Sequence, residues 1–205
     1  MNLNIDKLKK MFAAATAAIS ARETELSALD AVCGDGDHGA AVRGAMCAAN
    51  EAVSIASNLK DAFFDAGFAA MSHSNGSTST LFGSLFMGIS DGIPAGAQEL
   101  GGNELAAAFQ SGLDSVRSNT KADVGDKTLM DALIPAVKAM GGCDSAGEAL
   151  SAAASAAERG AESTANLMAK FGRAKNLGEK SIGGLDAGAV SVSIIFREFE
   201  KAFKE

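Results

Sequence analysis

The sequence predicts an all-α fold, and three observations support that prediction. Apolar residues recur at three- and four-residue steps along most of the 205-residue chain, as they do on one face of an amphipathic helix. Alanine, which has the highest intrinsic helix propensity, is abundant. Sustained alternation of apolar and polar residues, the pattern of a half-buried strand, is absent. We therefore expect one domain, residues 1–205, of packed helices with little or no sheet.

The first predicted helix has an apolar face that continues until Asp30 and the glycines after it. That face consists of Leu8, Met11, Phe12, Ala15, Ile19, Leu26 and Leu29. The same periodicity predicts seven further helices. Their approximate ranges are 38–53, 59–71, 81–88, 104–116, 128–140, 146–170 and 187–203. The segment 81–88 is apolar on nearly every side, which predicts a helix buried all round.

Composition narrows the class of protein. The formal net charge of −7 argues against nucleic acid as the main partner, because phosphates attract a basic surface. The sequence contains no run of 18 apolar residues, the length needed to span a bilayer. The N-terminus lacks the pattern of a signal peptide. The three cysteines show no paired spacing, which favours a reducing, cytoplasmic location. Two histidines are too few for a multi-histidine zinc site.

The stretch Asp30–Gly39 holds three aspartates within eight residues: Asp30, Asp35 and Asp37. Three like charges this close repel one another unless a cation or solvent relieves them. The interleaved glycines let the backbone turn, so the carboxylates can converge on a hard cation such as Mg²⁺ or Ca²⁺. The spacing does not fit an EF-hand, because twelve positions from Asp30 or Asp35 end on a residue other than Glu. A solvated acidic turn remains the alternative.

Two other segments could bind an anion. The turn from Asn75 to Thr80 is rich in Gly, Ser and Thr directly before a predicted helix, so its free N–H groups and hydroxyls could cradle phosphate. Ordinary N-capping is the alternative interpretation. The connection 171–186 is glycine-rich and basic in an acidic protein, which is typical of an anion lid or of a mobile crossover.

A third segment, Gly125-Asp126-Lys127-Thr128, lacks the glycine–lysine adjacency and the preceding strand of a P-loop. Together, the acidic cluster and the two anion-binding candidates fit a magnesium–nucleotide site for phosphoryl transfer.

At these same residues the chain resembles the nucleotide-binding L subunit of dihydroxyacetone kinases, nearly end to end. The resemblance rests on Gly34-Asp35-Gly36-Asp37-His38-Gly39, on Gly125–Pro135, and on Gly172–Ala174 with Leu185–Ala189. It implies an antiparallel barrel of eight helices, which agrees with the number predicted from periodicity. It also implies a kinase or phosphotransferase subunit that is inactive without a sugar-binding partner.

The resemblance further implies the roles of individual residues. Asp30, Asp35 and Asp37 would hold two Mg²⁺ ions on the phosphates of ADP or ATP, and Arg173 would act with them in catalysis. Arg173 and Asp186, with Gly188, would belong to a segment that caps the nucleotide; the connection 171–186 is here called the capping segment. The other nucleotide-binding residues implied are His38, Gly76, Ser77, Thr78, Ser79, Leu81, Gly125, Thr128, Met130, Asp186 and Gly188. The turn Ser79-Thr80-Leu81-Phe82-Gly83 departs from the family's usual Gly-Pro-Leu-Tyr-Gly ending, but the metal ligands are intact.

The implied partner is a separate K subunit that holds dihydroxyacetone or a related small ketose. We expect this chain to be too short to include it. The phosphoryl donor would be exchanging ATP, or ADP rephosphorylated in place by a phosphotransferase-system protein. A homodimer is compatible with the sequence, which does not fix the oligomeric state. Two alternatives stay open: a non-catalytic ADP-bound module that binds a transcription regulator, and, less favoured, the first domain of a fatty-acid kinase.

Overall fold

The computed structural model describes residues 1–32, 34–74 and 76–205, and it is predominantly helical over those ranges. Cys33 and Asn75, of the acidic loop and the Gly/Ser/Thr turn, lie outside the described residues. Nine α-helices occur within the ranges given. They are α1 Ile5–Ala21, α2 Glu23–Ala31, α3 His38–Ile55, α4 Leu59–His73, α5 Ser77–Gly92, α6 Gly102–Arg117, α7 Met130–Ala139, α8 Ala146–Ser163 and α9 Ala187–Lys204. The prediction of an all-α fold is confirmed.

Eight of these helices form a closed ring, and α2 packs against it. Successive pairs α3–α4, α4–α5 and α5–α6 lie side by side, and α6 contacts both α7 and α8. Helix α9 packs between α8 and α1, and α1 closes the ring on α3. The expected eight-helix barrel is therefore present, with the short helix α2 lying mainly on α3.

Strand structure in the described part of the chain is limited to one short antiparallel pair. Strand β1, Leu3–Asn4, pairs with β2, Glu99–Leu100. This pair ties the N-terminus to the start of α6. Within the same described part of the chain, we find no helix with both the length and the apolar character needed to cross a membrane.

The first predicted helix is in fact two helices. The backbone leaves the helical region at Arg22 (φ −109°, ψ 13°), and α2 begins at the next residue. Because Ile19 and Leu26 are both fully buried, the apolar periodicity continues across the break. The pattern alone could not locate it.

The seventh predicted helix is shorter than predicted, since α8 ends at Ser163 rather than near residue 170. A single 3-10 turn, Thr164–Asn166, follows it. The carbonyl oxygen of Thr164 accepts a hydrogen bond from the Lys127 ammonium group at 2.6 Å, and the Thr164 hydroxyl donates to Ala161. The first bond ties the C-cap carbonyl group to another segment, and the second stays within the last turn of α8. Such partners satisfy polar groups at a helix end.

Phenylalanine fills the centre of the barrel in the absence of Trp and Tyr. The ring of Phe12 on α1 lies 5.9 Å from that of Phe63, 5.2 Å from Phe86 and 5.3 Å from Phe199, measured between centroids. All four side chains are essentially inaccessible to solvent. One aromatic cluster therefore joins α1, α4, α5 and α9.

Glycine allows α4 and α5 to pack closely. A Cβ atom placed on Gly67 would lie 2.6 Å from the backbone nitrogen of Met87 and 2.7 Å from the carbonyl oxygen of Gly83. A Cβ on Gly83 would lie 2.9 Å from the carbonyl oxygen of Gly67. Backbone atoms cannot move aside as a flexible side chain can, so these positions require glycine.

We expect Gly67→Ala to lower the free energy of unfolding by about 1–3 kcal/mol, because the added methyl group must push α4 away from α5. Chemical denaturation measures this change. Gly147→Ala on α8 is the matched control, since its Cβ would meet only the ring of Phe203, at 3.1 Å. Unchanged or increased stability of Gly67→Ala would contradict the packing described.

Glu200 is the buried centre of an ionic network between α8 and α9 whose two cations are partly exposed. Its carboxylate accepts hydrogen bonds from Arg197 at 2.6 Å, Ser151 at 2.7 Å and Lys204 at 2.7 Å. Burial alone would raise the pKa of this carboxyl group, but these hydrogen bonds outweigh burial and lower the pKa to about 2. The ionised form is thus favoured in the folded protein.

A carboxyl group whose pKa is lower in the folded than in the unfolded protein stabilises the fold at pH values above its unfolded pKa. That stability is lost as the pH falls through the folded pKa. We expect Glu200→Gln to lose about 1–2 kcal/mol at neutral pH, a figure reduced for the exposure of the two cations. The difference from wild type should shrink as pH falls from about 4.5 towards 2. Glu198→Gln, which removes an exposed pair with Lys201, is the control. An equal loss in both variants across this range would refute the assignment.

Candidate functional site

A cavity of about 560 Å³ opens where the N-termini of several helices meet. Its wall includes His38 at the start of α3, Ser77 at the start of α5 and Ala187 at the start of α9. Thr128 and Leu129, just before α7, belong to the same wall. Helix N-termini carry partial positive charge and unpaired N–H groups, so this end of the barrel favours an anion.

The predicted acidic residues do converge in this cavity. One carboxylate oxygen from each of Asp30, Asp35 and Asp37 lies within 4.8 Å of the other two. Asp30 is half-buried, whereas Asp35 and Asp37 are exposed to the cavity mouth. Carboxylate oxygens at this separation fit a hard divalent cation, which would also relieve their mutual repulsion.

Two glycines shape the loop that presents these carboxylates. A Cβ atom on Gly34 would lie 2.4 Å from Oδ1 of Asp30, so a side chain there would displace the carboxylate. Gly36 has φ 77°, a left-handed conformation that favours glycine. Its N–H donates to Oδ2 of Asp30 at 2.8 Å, which fixes the orientation of that side chain.

Arg173 reaches the acidic cluster from the capping segment and forms an ion pair with Asp35. The segment is not a structureless loop, since Arg173–Ser181 forms 3-10 turns with a kink at Gly178 (φ 54°, ψ −129°). Phe171, Gly172 and Arg173 all line the cavity. The capping segment therefore forms part of the cavity wall, and its role in covering a bound nucleotide stays a prediction.

His38 joins three helices beneath the acidic cluster. Its Nε2 lies 2.8 Å from the Ser191 hydroxyl on α9, and its Nδ1 lies 3.3 Å from the Thr78 hydroxyl on α5. Because the Ser191 hydroxyl donates to the carbonyl of Ala187, it accepts from Nε2, and Thr78 can donate to Nδ1. Burial lowers the pKa of His38, although Asp30 and Asp37 oppose the shift.

The structure separates the predicted nucleotide-binding residues into two groups. Nine of them line the cavity: His38, Gly76, Ser77, Thr78, Leu81, Thr128, Arg173, Asp186 and Gly188. Ser79, Gly125 and Met130 are not among the lining residues. The hydroxyl of Ser79 is buried against Ser74, the side chain of Met130 is in the core, and the N–H of Gly125 donates to Asp131. The nucleotide contacts assigned to these three residues stay a prediction.

Asp131 and Lys127 are structural elements of this site that sequence reasoning missed. The carboxylate of Asp131 accepts hydrogen bonds from the N–H groups of Gly125 at 2.6 Å and Thr128 at 2.7 Å, which hold the loop before α7. Lys127 has φ 58°, a left-handed conformation that costs a non-glycine residue about 1–2 kcal/mol. Both lie in the motif Gly125–Pro135, on which the resemblance rests but which gave neither residue a role.

One side of the cavity is apolar and complements the charged side. Leu81 and Phe82 of α5, Leu129, and Phe171 and Leu185 of the capping segment contribute to it. Of these, only Leu81 was predicted as a site residue. Apolar walls of this kind accept a flat, weakly polar group, while the polar side orients the rest of the ligand.

Asp186 caps α9 from within the cavity wall, where its carboxylate accepts a hydrogen bond from the N–H of Ala189 at 2.7 Å. Burial raises the pKa of Asp186 to about 7, with Asp131 and Asp30 adding to the shift and Ala189 and Lys127 opposing it. Asp186 is half-buried and lines the cavity. The cavity lining holds more acidic than basic side chains: Asp30, Asp35, Asp37 and Asp186 against Lys127 and Arg173.

Comparison with known proteins places this geometry in context. A family model described as the DAK2 domain matches residues 32–201. An ADP-binding subunit of a PEP-dependent dihydroxyacetone kinase from Listeria innocua is 34% identical over 188 residues, covering 86% of this chain and 87% of that protein. The corresponding subunit from Escherichia coli is 37% identical, covering 88% of each. L-erythrulose 1-kinase from Mycolicibacterium smegmatis is 37% identical, but the match spans only 32% of that protein.

A solved structure is similar as well. The dihydroxyacetone kinase from C. freundii in complex with AMP-PNP and Mg²⁺ superposes with a TM-score of 0.76 and 27% sequence identity. The match covers 98% of this chain and 34% of that chain.

The raised pKa of Asp186 gives a prediction about stability. A carboxyl group whose folded pKa is raised favours folding at low pH, and the protein loses that stability as pH rises through about 7. We expect Asp186→Asn, which keeps the helix cap, to resemble wild type near pH 4 and to be more stable near pH 8. Urea denaturation at the two pH values measures this. The control is Asp126→Asn, because a hydrogen bond from Lys170 lowers the pKa of Asp126. Loss of stability at pH 8 in Asp186→Asn would contradict the account.

Proposed function

The chain belongs to the DAK2 domain family, and we propose that it is the nucleotide-binding subunit of a kinase for dihydroxyacetone or a related small ketose. Its relatives are named as subunits or whole enzymes of dihydroxyacetone and erythrulose kinases. It spans most of the length of the separate ADP-binding subunits and about a third of the longer erythrulose kinase. A subunit that works with a separate sugar-binding chain fits both observations.

One observation supports the proposal most strongly: three carboxylates face a set of helix N-termini across a single cavity. Carboxylates would repel a polyphosphate, whereas helix N-termini attract it. Divalent cations between the two reconcile these opposite preferences, since a cation binds both carboxylate and phosphate oxygens. Mg²⁺ and ADP or ATP are therefore the ligands that we assign to the cavity.

The residues present fit such ligands. Asp30, Asp35 and Asp37 offer six carboxylate oxygens, enough to share between two Mg²⁺ ions whose remaining ligands would be phosphate oxygens and water. The first N–H groups of α5 and the hydroxyls of Ser77 and Thr78 would bind the phosphates. The apolar side of the cavity, formed by α5, Leu129 and the capping segment, would accept the base.

Bound Mg²⁺ would supply charge neutralisation of the transferring phosphoryl group. The chain's own residues would position the reaction. The three aspartates fix where the positive charge lies, and Arg173 adds a second cation from the capping segment. With the nucleotide in place, the guanidinium group of Arg173 would exchange its ion pair with Asp35 for contacts to phosphate oxygens.

We assign no general base to this chain, because the acceptor hydroxyl would come from a sugar held by the partner subunit. Two sources of the phosphoryl group fit the cavity equally: ATP that exchanges with solvent, or bound ADP that a phosphotransferase-system protein rephosphorylates. Several relatives are named as PEP-dependent or PTS-dependent. Those names favour the second source for this chain.

Calorimetric titration tests the binding half of the proposal. We expect ADP to bind only when Mg²⁺ is present, and Asp35→Asn to weaken that binding at least about a hundredfold, since even residues behind metal ligands contribute ten- to a hundredfold. The helical content should be retained. Asp144→Asn, an exposed aspartate outside the cavity, is the control. Binding of ADP that is equally tight without Mg²⁺, or unchanged in Asp35→Asn, would refute the site.

Reconstitution tests the catalytic half. The protein is mixed with a sugar-binding subunit and dihydroxyacetone, with either ATP or PEP and the phosphotransferase-system proteins as donor. We expect phosphorylated dihydroxyacetone from one donor and none when any component is omitted. Binding of Mg·ADP without turnover under either regime would leave a nucleotide-bound regulatory module as the better description.

A further inference from the structure

Lys127 is a buried cation on the wall of the cavity, and the proposed transfer of the phosphoryl group assigns it no role. Its side chain is only 4% exposed, although lysine is rarely buried unless its charge is paired. The ammonium group donates hydrogen bonds to the carbonyl oxygens of Thr164 at 2.6 Å and Gly184 at 2.5 Å. A residue from the loop before α7 therefore contacts two other segments at once.

The two carbonyl groups that accept hydrogen bonds from Lys127 lie at the two ends of one excursion of the chain, the connection between α8 and α9. Thr164 caps the C-terminus of α8, and Gly184 lies just before the start of α9. Between them runs the stretch 165–183, which contains most of the capping segment. Two more hydrogen bonds cross at the same place: Gly183 N–H donates to the carbonyl of Ala165 at 2.8 Å, and Asp186 N–H donates to the Thr164 hydroxyl at 2.9 Å. We call these crossing contacts the neck of the capping segment.

The loop before α7 directs Lys127 towards the neck. Among the non-glycine residues that the structure describes, Lys127 is unusual in its positive φ of 58°. Asp131 holds the backbone on both sides of it by accepting from Gly125 and Thr128. A strained backbone conformation persists where surrounding contacts hold it in place, as Asp131 does here. The conformation of Lys127 directs its side chain inwards rather than into solvent.

The position of the neck matters for the cavity. Leu185, Asp186, Ala187 and Gly188 follow Gly184 directly and form part of the cavity wall. Arg173, which pairs with Asp35, lies on the excursion that the neck closes. Closing a long excursion at its base reduces the number of conformations available to the residues on it.

We propose that Lys127 is a positioning residue that closes the neck of the capping segment and so keeps that segment over the bound nucleotide. This inference rests on the proposed function for its second half, the retention of nucleotide. Its first half, the order of the capping segment, concerns the chain alone. The two halves can therefore be tested separately.

Limited proteolysis tests the first half without any ligand. The capping segment contains three trypsin sites, Arg173, Lys175 and Lys180. We expect Lys127→Met, which keeps much of the side-chain volume but removes the donors, to be cut there about ten- to a hundredfold faster than wild type. Lys138→Met is the matched control, because Lys138 is an exposed lysine on α7 and lies outside residues 165–183. It should be cut at these sites at the wild-type rate.

Nucleotide release tests the second half. Stopped-flow measurement with a fluorescent ADP analogue and Mg²⁺ should show faster dissociation from Lys127→Met and little change in its association rate. Lys127→Arg, which restores the charge and the donors, should recover part of the wild-type residence time. A loss of stability alone would not produce this split between the two rates, nor would it confine cleavage to one segment.

Each outcome decides a different claim. If the wild-type protein binds no Mg·ADP, the proposed function fails, and proteolysis still decides whether Lys127 closes the neck. If wild type binds Mg·ADP but Lys127→Met matches it in both cleavage and dissociation, the inference about Lys127 is overturned and the proposed function stands. Should Lys127→Met not fold, as judged by its helical circular dichroism, Lys127→Leu, which is shorter and likewise has no N–H donor, takes its place with the same criteria.

Discussion

The repulsion among three carboxylates is the constraint on which the rest of this site depends. Oxygens of Asp30, Asp35 and Asp37 lie within 4.8 Å of one another in the cavity lining, outside the hydrophobic core. The protein offsets part of the repulsion with one cation, Arg173, and one backbone N–H, that of Gly36. Both contacts leave carboxylate oxygens that can still bind a metal ion, as a cation-binding site requires.

The barrel brings the opposing charges together without placing either in the core. The N-termini of α3, α5, α7 and α9 meet at one end, so their partial positive charges add on one face of the cavity. Glycine contacts such as that between Gly67 and Gly83 keep α4 and α5 close, which fixes where the start of α5 lies. The aromatic cluster around Phe12 joins α1, α4, α5 and α9 inside the ring. Core packing thus determines the geometry of a polar site at the end of the barrel.

Much of this arrangement could be predicted from the sequence, because its signals are local. Apolar periodicity identified the helices, and the acidic glycine loop identified the cluster of Asp30, Asp35 and Asp37. The resemblance to dihydroxyacetone kinases brought in Arg173 and Asp186, which are distant in sequence from that loop. Both line the cavity in the structure.

The features that were missed depend on contacts between distant segments. The break at Arg22 is invisible to periodicity, because Ile19 and Leu26 stay on the buried face across it. Helix α8 ends at Ser163, where Lys127, 37 positions before Thr164 in the chain, binds the carbonyl of that C-cap residue. Ser79 has the right residue type for a phosphate contact, yet its hydroxyl turns to Ser74. In each case the deciding partner lies on another turn or another element, which a one-dimensional pattern does not specify.

A crystal structure of the protein with ADP and Mg²⁺ tests the central claim most directly. We expect electron density for divalent ions coordinated by Asp30, Asp35 and Asp37 on one side and by the phosphates on the other, with the phosphates at the start of α5. A well-ordered nucleotide whose phosphates lie away from these carboxylates, with no ion between them, would contradict it.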